Sequence, residues 1–347
     1  MILFPDCPNP LYKEVLFLRQ TNEHIAVWEG HKYTKDEARA ASGIEQVYWL
    51  QEFDNVLHSI IHYAETIYIN TNENDRYAHT VPYRDLRFLA SLREKYPLHH
   101  YERAAPILRD LRAVKSGIEI ELTKKACAIT RDSFLRVLKF VKPGVAEYEI
   151  EAEIIHEFIR QRATGQAYSP IIASGPNAVV LHYIDNNQVC KNGDVILLDY
   201  AAEYANYNAD MTRSIPVNGR FSKRQRDVYN AVLRVMRAAT QMLVAGAIWN
   251  EYHDEVGKLM TGELIGLGLL DRHDVEKQDA KMPVYKKYFM HGTSHHLGID
   301  VHDFAGRYTP FAAVNILTCE PGIYIPQEGL GIRLENDILI TNDGNIN

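Results

Sequence analysis

The chain has 347 residues, 46% hydrophobic and 24% charged, ordinary globular values that exclude disorder, collagen-like repeats and a coiled coil as the main architecture. Its 38 Lys and Arg against 45 Asp and Glu leave a formal charge of -7, so there is no bulk positive field to hold nucleic acid or an anionic membrane. At roughly 150 residues per domain the length suits about two domains. Cys7, Cys127, Cys190 and Cys319 lack C-x-x-C spacing, which argues against a structural zinc site or a disulfide scaffold. No stretch approaches the roughly 20 apolar residues that span a bilayer, and the opening MILFPDCPNP has no basic segment followed by an apolar run. A soluble, cytoplasmic protein is expected.

The first third of the chain alternates strand-like and helix-like segments. HIAVWEG at 24–30 reads as strand, the run from about Val47 to Ala64 as amphipathic helix, and TIYINT at 66–71 as strand; a helix from about Arg84 to Tyr96 ends at Pro97. This predicts a small α/β domain over residues 1–112, with a link near Leu111 to Ser116 and a second domain over 113–347.

Ser116 and Glu119 have capping-box spacing, and Ile118, Leu122, Ala126, Ile129, Val137 and Phe140 follow at helical intervals. Pro143-Gly144 breaks that helix, Tyr148 to Arg162 resumes the pattern, and another helix starts at Ser222 with Gln225 three residues on. Strand candidates are 194–200, 203–217, 315–325 and 331–341. The fold class expected is α+β, helices packed on an antiparallel sheet.

The chemistry lies in these strands. A two-residue turn at Ala205-Asn206 would bring Asp199 opposite Thr212 and leave Asp210 as a diagonal neighbour on the same face. Taken alone, the two aspartates read more readily as a solvated strand end and a turn residue. A second hairpin, centred between Gln327 and Glu328, would set Glu320 directly against Glu335, each within an apolar strand. Apposed carboxylates repel, and one takes up a proton unless a cation sits between them.

Histidine is abundant, at 15, and His291, His295, His296 and His302 crowd into HGTSHHLGIDVHD. His291 and His295 have i, i+4 spacing, but the glycines around them and the missing Glu argue against a zinc-protease helix. Four carboxylates with one neutral His form an oxygen-rich set that suits two ions of Mn²⁺ or a similar harder metal. On an extended strand, His302 would face away from His295, seven residues earlier, so a shared site requires a bend; Gly298 is the expected place, through its wider range of backbone angles. His182, alone, reads as structural.

YSPIIASGPNAVVLHY, LLDYAAEYANYNADMTRSIPVNG, HGTSHHLGIDVHD, CEPGIYI and GIRLENDILIT, in that order, resemble the proline-specific metallopeptidases of the pita-bread fold, aminopeptidase P and prolidase. The resemblance covers about residues 105 to 347. It implies a pita-bread (creatinase/aminopeptidase-like) catalytic domain and two divalent ions, Mn²⁺ favoured with Co²⁺ or Zn²⁺ as alternatives. Their ligands would be Asp199, Asp210, His295, Glu320 and Glu335, with Asp210 and Glu335 bridging. It makes His182, His291 and His302 contacts to substrate and tetrahedral intermediate, Glu320 a proton relay, and Arg333 a support of the carboxylates. It implies a peptide substrate with proline second, cleaved as an Xaa-Pro aminopeptidase. Prolidase is the runner-up, and methionine aminopeptidase or an inactive binding relative are more distant rivals. A homodimer or higher oligomer is implied as well. His296, Cys319 and Asn336 depart from the family's common residues, and the part before Ser116 is shorter than the family's usual first domain, so that domain is expected to be partial.

Overall fold

The structure is a computed structural model that describes residues 1–73, 80–279, 281–306 and 308–347. It separates into two compact units, Met1–Pro106 and Ile107–Asn347. In the first, strands β1 (Ile2–Leu3), β2 (Glu14–Leu18) and β3 (Gln46–Trp49) form one sheet, and β4 (Thr66–Ile69) pairs in parallel with β5 (His100–Arg103). Helices α1 (Glu23–Glu29), α2 (Lys35–Ser42), α3 (Phe53–Ile61) and α4 (Arg84–Lys95) connect them, and α5 (Ala105–Ala113) follows. HIAVWEG is therefore helical, not a strand. Asn22 caps it, its side chain accepting from the Ile25 N–H at 2.8 Å, and the segment leaves Val27 and Trp28 exposed. The cap outweighs the β propensity of Ile, Val and Trp. The run from Val47 likewise divides, with Val47 to Trp49 in β3 and only the part from Phe53 helical.

The second unit begins within α5 and continues with α6 (Gly117–Phe140) and α7 (Glu147–Arg160). The Glu119 carboxylate accepts from the Ser116 N–H at 2.7 Å, satisfying a donor the helix leaves open. Strands β6 (Gly165–Gln166), β7 (Ile171–Ser174), β8 (Val195–Asp199), β9 (Ala202–Tyr204), β10 (Tyr207–Asn208) and β11 (Thr212–Pro216) come next, then α8 (Lys223–Met242), α9 (Trp249–Gly266) and α10 (Arg272–Glu276). The last strands are β12 (Ile316–Cys319), β13 (Gly322–Ile325), β14 (Leu330–Arg333), β15 (Asn336–Thr341) and β16 (Gly344–Ile346). Among the described residues no helix is long and apolar enough to cross a membrane.

β8 lies between β7 and β11, and both of its faces are covered. Ile196 and Leu198 enter the core under α6 and α7, while Leu197 enters a second cluster with Ala178 and Tyr324. Both hairpins adopt the register expected. Tyr204 pairs with Tyr207 and Asp199 with Thr212. Ala205 and Asn206 make the turn with φ of 50° and 70°, the left-handed values that such a two-residue turn needs. In the second, β12 pairs with β15 through Cys319 and Asn336, and β13 with β14 through Gly322 and Arg333. The register carries straight through, so Glu320 and Glu335 sit opposite each other at the interruption beside Pro321.

β14 passes so close to the 3-10 turn Gly175–Val179 that a Cβ on Gly331 would lie 1.9 Å from the Ala178 carbonyl oxygen. Gly331→Ala should destabilise this unit at or above the upper end of the roughly 1–3 kcal/mol typical of overpacking. Denaturant unfolding monitored by circular dichroism checks this, and a loss under 0.5 kcal/mol would contradict the close approach.

Candidate metal centre

Asp199 ends β8, Asp210 lies between β10 and β11, Glu320 and Glu335 flank the interruption of the second hairpin, and His295 lies in the irregular segment before β12. Ligand atoms of Asp210, His295 and Glu335 all come within 4.8 Å of one another. His295 Nε2 is 3.3 Å from Asp210 Oδ2 and 3.7 Å from Glu320 Oε1. Asp199 is joined through Tyr168, whose hydroxyl is 2.6 Å from Oδ1 of both Asp199 and Asp210. Its other oxygen pairs with the buried guanidinium of Arg333. The five side chains thus occupy one buried region, with Asp199 turned furthest toward Arg333.

The electrostatics are those of a site short of positive charge. Burial pushes the carboxyls of Asp199 and Glu335 up, and the neighbouring carboxylates add to the shift; for Glu335 it is large. Glu320 is pushed up to about 7, by burial first, with His295 opposing. Burial alone would lower His295, but its contact with Asp210 and the charges of Glu320 and Asp210 outweigh it and carry the imidazole to about 9. Carboxylates this buried and this close retain protons unless a cation replaces them. The donor set, oxygen-rich with one imidazole, fits divalent ions.

Arg333 also donates to the Tyr324 hydroxyl at 2.7 Å, which lies 2.8 Å from His291 Nε2. His291 Nδ1 is 2.8 Å from the Gly292 carbonyl, which can only accept, so the proton resides on Nδ1 and Tyr324 donates to Nε2. Burial and the charge of Arg333 lower His291 to about 3, which keeps it neutral. The His302 ring meets the His295 ring edge to face, with centroids 4.4 Å apart. His182 is exposed, in the irregular segment after the 3-10 turn, and its charge bears on His291.

The chain does bend back between His295 and His302, but not for the reason expected. Gly298 does not adopt a left-handed φ; the position is glycine because a Cβ there would lie 2.2 Å from Asp303 Oδ2. Its carbonyl accepts from the backbone and side-chain N–H groups of Asn208, which ties this segment to β10.

Four residues of this region carried no sequence signal of their own. Tyr168 opens a motif already noted, yet nothing local shows that it joins two aspartates. Thr212 donates to Glu335 Oε2 at 2.6 Å. Asp337 Oδ2 accepts from the Asp210 N–H at 3.0 Å and the Cys127 thiol at 3.3 Å, and burial pushes this carboxyl up to about 7. Glu147, at the start of α7, accepts from Ser174 N–H (2.8 Å) and hydroxyl (2.6 Å), Tyr183 (2.8 Å), Gln188 N–H (3.0 Å) and Asn177 (3.2 Å). It gathers the segment that contains His182. The three departures also have partners: His296 stacks on Trp249, Asn336 accepts from Arg213 at 2.6 Å, and the Cys319 thiol lies 3.6 Å from the Thr240 hydroxyl.

A buried acidic cluster with one imidazole, held by two antiparallel hairpins under a layer of helices, defines a metalloenzyme. Residues 121–342 match metallopeptidase family M24, and residues 1–68 match the aminopeptidase P N-terminal domain. The chain is 32% identical to the Xaa-Pro aminopeptidase of Haemophilus influenzae over 346 residues, covering 96% of this chain and 77% of that one. Proline aminopeptidase P II from Yersinia pestis superposes with a TM-score of 0.84 at 32% identity, covering 95% and 79% of the two chains. Escherichia coli aminopeptidase P with the inhibitor Pro-Leu gives 0.85 at 31% identity, covering 95% and 78%. The chain belongs to metallopeptidase family M24, with the pita-bread catalytic domain preceded by an aminopeptidase P N-terminal domain, and it binds divalent metal.

The raised carboxyl and imidazole set a pH dependence. In the metal-free protein the stability contributed by Glu320 is complete below 4.5 and lost as pH rises to about 7, while that of His295 is complete below 6.5 and lost by about 9. The lowered His291 and His296 act oppositely, but only below 6.5. The melting temperature of metal-free protein should therefore fall between pH 6.5 and 9, and metal binding at pH 7 should release protons. Scanning calorimetry and titration calorimetry in buffers of different ionisation enthalpy test this; a flat profile with no proton release would refute the assignment.

Proposed function

We propose that this chain is an Xaa-Pro aminopeptidase that cleaves the N-terminal peptide bond preceding proline, with two divalent ions held by Asp199, Asp210, His295, Glu320 and Glu335. The convergence of Asp210, His295 and Glu335 ligand atoms within 4.8 Å carries this reading. The near full-length likeness to aminopeptidases supports it, and the inhibition of the Escherichia coli relative by Pro-Leu fits a site that receives a proline-led product.

Divalent ions held by these five residues would supply a water acidified to near neutrality and Lewis-acid polarisation of the scissile carbonyl. Glu320, whose Oε1 lies on the side facing His295, holds and returns a proton. His302, its ring perpendicular to that of His295, donates to the oxygen on which charge develops, and His182 and the neutral His291 contact the substrate. Arg333 fixes Asp199 and, through Tyr324, the orientation of His291. The oxygen-rich donors favour Mn²⁺ over Co²⁺ or Zn²⁺. Four free thiols fit a reducing, cytoplasmic compartment, and a homodimer or larger oligomer is part of the reading.

Activity on Xaa-Pro-Xaa peptides exceeding that on Xaa-Pro dipeptides and on Met-Ala-Xaa tests the specificity; preference for the dipeptide would make the enzyme a prolidase. Glu335→Ala should lose both ions and Asp199→Ala mainly one, by metal analysis of the purified variants. Equal losses would contradict the bridging role. His302→Ala should keep metal content and melting temperature near normal while kcat/KM falls about 100-fold, as loss of an oxyanion contact does. A destabilised but fully active variant would assign His302 to the core instead.

A further inference from the structure

The segment from Gly298 to Phe304 brings His302 back to His295 without belonging to any strand or helix. Asn208 donates to its Gly298 and Ile299 carbonyls, and further bonds close it. The Asp303 N–H donates to the His296 carbonyl at 2.8 Å, and the Gly298 N–H to the Asp300 carbonyl at 3.1 Å. The Asp303 side chain turns inward, with 2% of it exposed, and meets Lys115, of which 1% is exposed, with Nζ to Oδ2 at 2.9 Å. The other carboxylate oxygen pairs with Arg112 and accepts from the Phe304 N–H at 2.8 Å. Lys115 is itself fixed, its ammonium donating to the Arg112 carbonyl and its backbone N–H to the Val314 carbonyl at 3.1 Å. A Cβ on Gly298 would strike both members of the pair, at 2.2 Å from Asp303 Oδ2 and 2.9 Å from Lys115 Nζ.

A buried lysine–aspartate pair is a poor device for stability, because desolvation of both charges offsets their attraction. Its demand for one geometry, with each charge met by the other, is better suited to fixing a conformation. We propose that Lys115 and Asp303 are positioning residues, an ion pair that anchors the irregular segment to the lead-in of α6 and thereby holds the adjacent His302 against His295. The inference rests on the role assigned to His302 above. Asp300, more than half exposed and 2.6 Å from Arg112, is a screened accessory to the pair.

The test is a mutant cycle on the metal-loaded enzyme, joined to a measurement that does not depend on activity. Lys115→Met/Asp303→Asn removes both charges together, so neither is left buried alone. It should lower kcat by roughly 10- to 100-fold with KM and metal content within about twofold, and in a His302→Ala background the same change should cost less than about twofold. In metal-free protein the His302 imidazole resonance should shift as the ring leaves the face of His295. Gly298→Ala keeps both charges but displaces the carboxylate, and should show the same dependence on His302. Losses that multiply with His302→Ala, an unmoved His302 resonance, or a Gly298→Ala enzyme with unchanged kcat would overturn the proposal. If His302→Ala itself leaves kcat unchanged, the catalytic reading of His302 fails, and the resonance still decides whether the pair positions the ring.

Discussion

Three buried carboxylates, with the partly exposed Glu320 beside them, repel one another, and much of the surrounding architecture is arranged around that repulsion. Arg333 and His295 are the positive partners in direct contact, and they leave Glu335 and Asp199 with raised pKa values. Hydroxyls supply what charge does not: Tyr168 bridges Asp199 and Asp210, and Thr212 holds Glu335. In isolation such a cluster would select against itself, since buried like charges destabilise a fold. It becomes reasonable only as a receptacle whose missing positive charge arrives with metal.

The acidic residues were legible because antiparallel pairing is arithmetic. Once the turns at Ala205-Asn206 and near Gln327 are located, register follows, and the pairing of Asp199 with Thr212 and the facing of Glu320 and Glu335 come from counting along the strands. The same counting did not reveal that Pro321 divides the second hairpin into two ladders. HIAVWEG misled because its apolar, β-prone residues outweighed a single asparagine at the helix start. Gly298 was placed correctly at a bend but for the wrong cause, since the constraint comes from Lys115 and Asp303, remote in sequence and close in space. Tyr168, Thr212, Asp337 and Glu147 share that difficulty: each acts through a partner that only the tertiary fold supplies.

The two ladders also explain how strands this apolar present polar groups to one place. In the strands β12, β13 and β14 themselves every residue is buried, so an ordinary alternation of faces would leave no opening. At Glu320 and Glu335 the chain lies between ladders, and the backbone there bonds elsewhere, Glu320 N–H to the Thr293 carbonyl and Glu335 N–H to that of Thr212. Those two bonds stitch the histidine segment and the first hairpin to the second, so the three stretches that supply the acidic and imidazole groups are held in mutual register by main-chain contacts.

Glu147 gives the structure a different kind of asymmetry. Five donors from four residues converge on its two oxygens. A carboxylate offers about four lone-pair positions, so the donors outnumber the places they fill. Three of them, the Ser174 N–H and hydroxyl and Asn177, fall on one oxygen, so losing one of these leaves that oxygen saturated and drift at Ser174 or Asn177 is buffered, whereas Tyr183 is one of two on the other. Removing the acceptor strands several donors at once, the buried Ser174 N–H and hydroxyl at the cost of unmet buried polar groups. Variation in this segment is thus permitted at the periphery and forbidden at the hub, a pattern of mutational tolerance set by counting lone pairs and independent of distance from the acidic cluster.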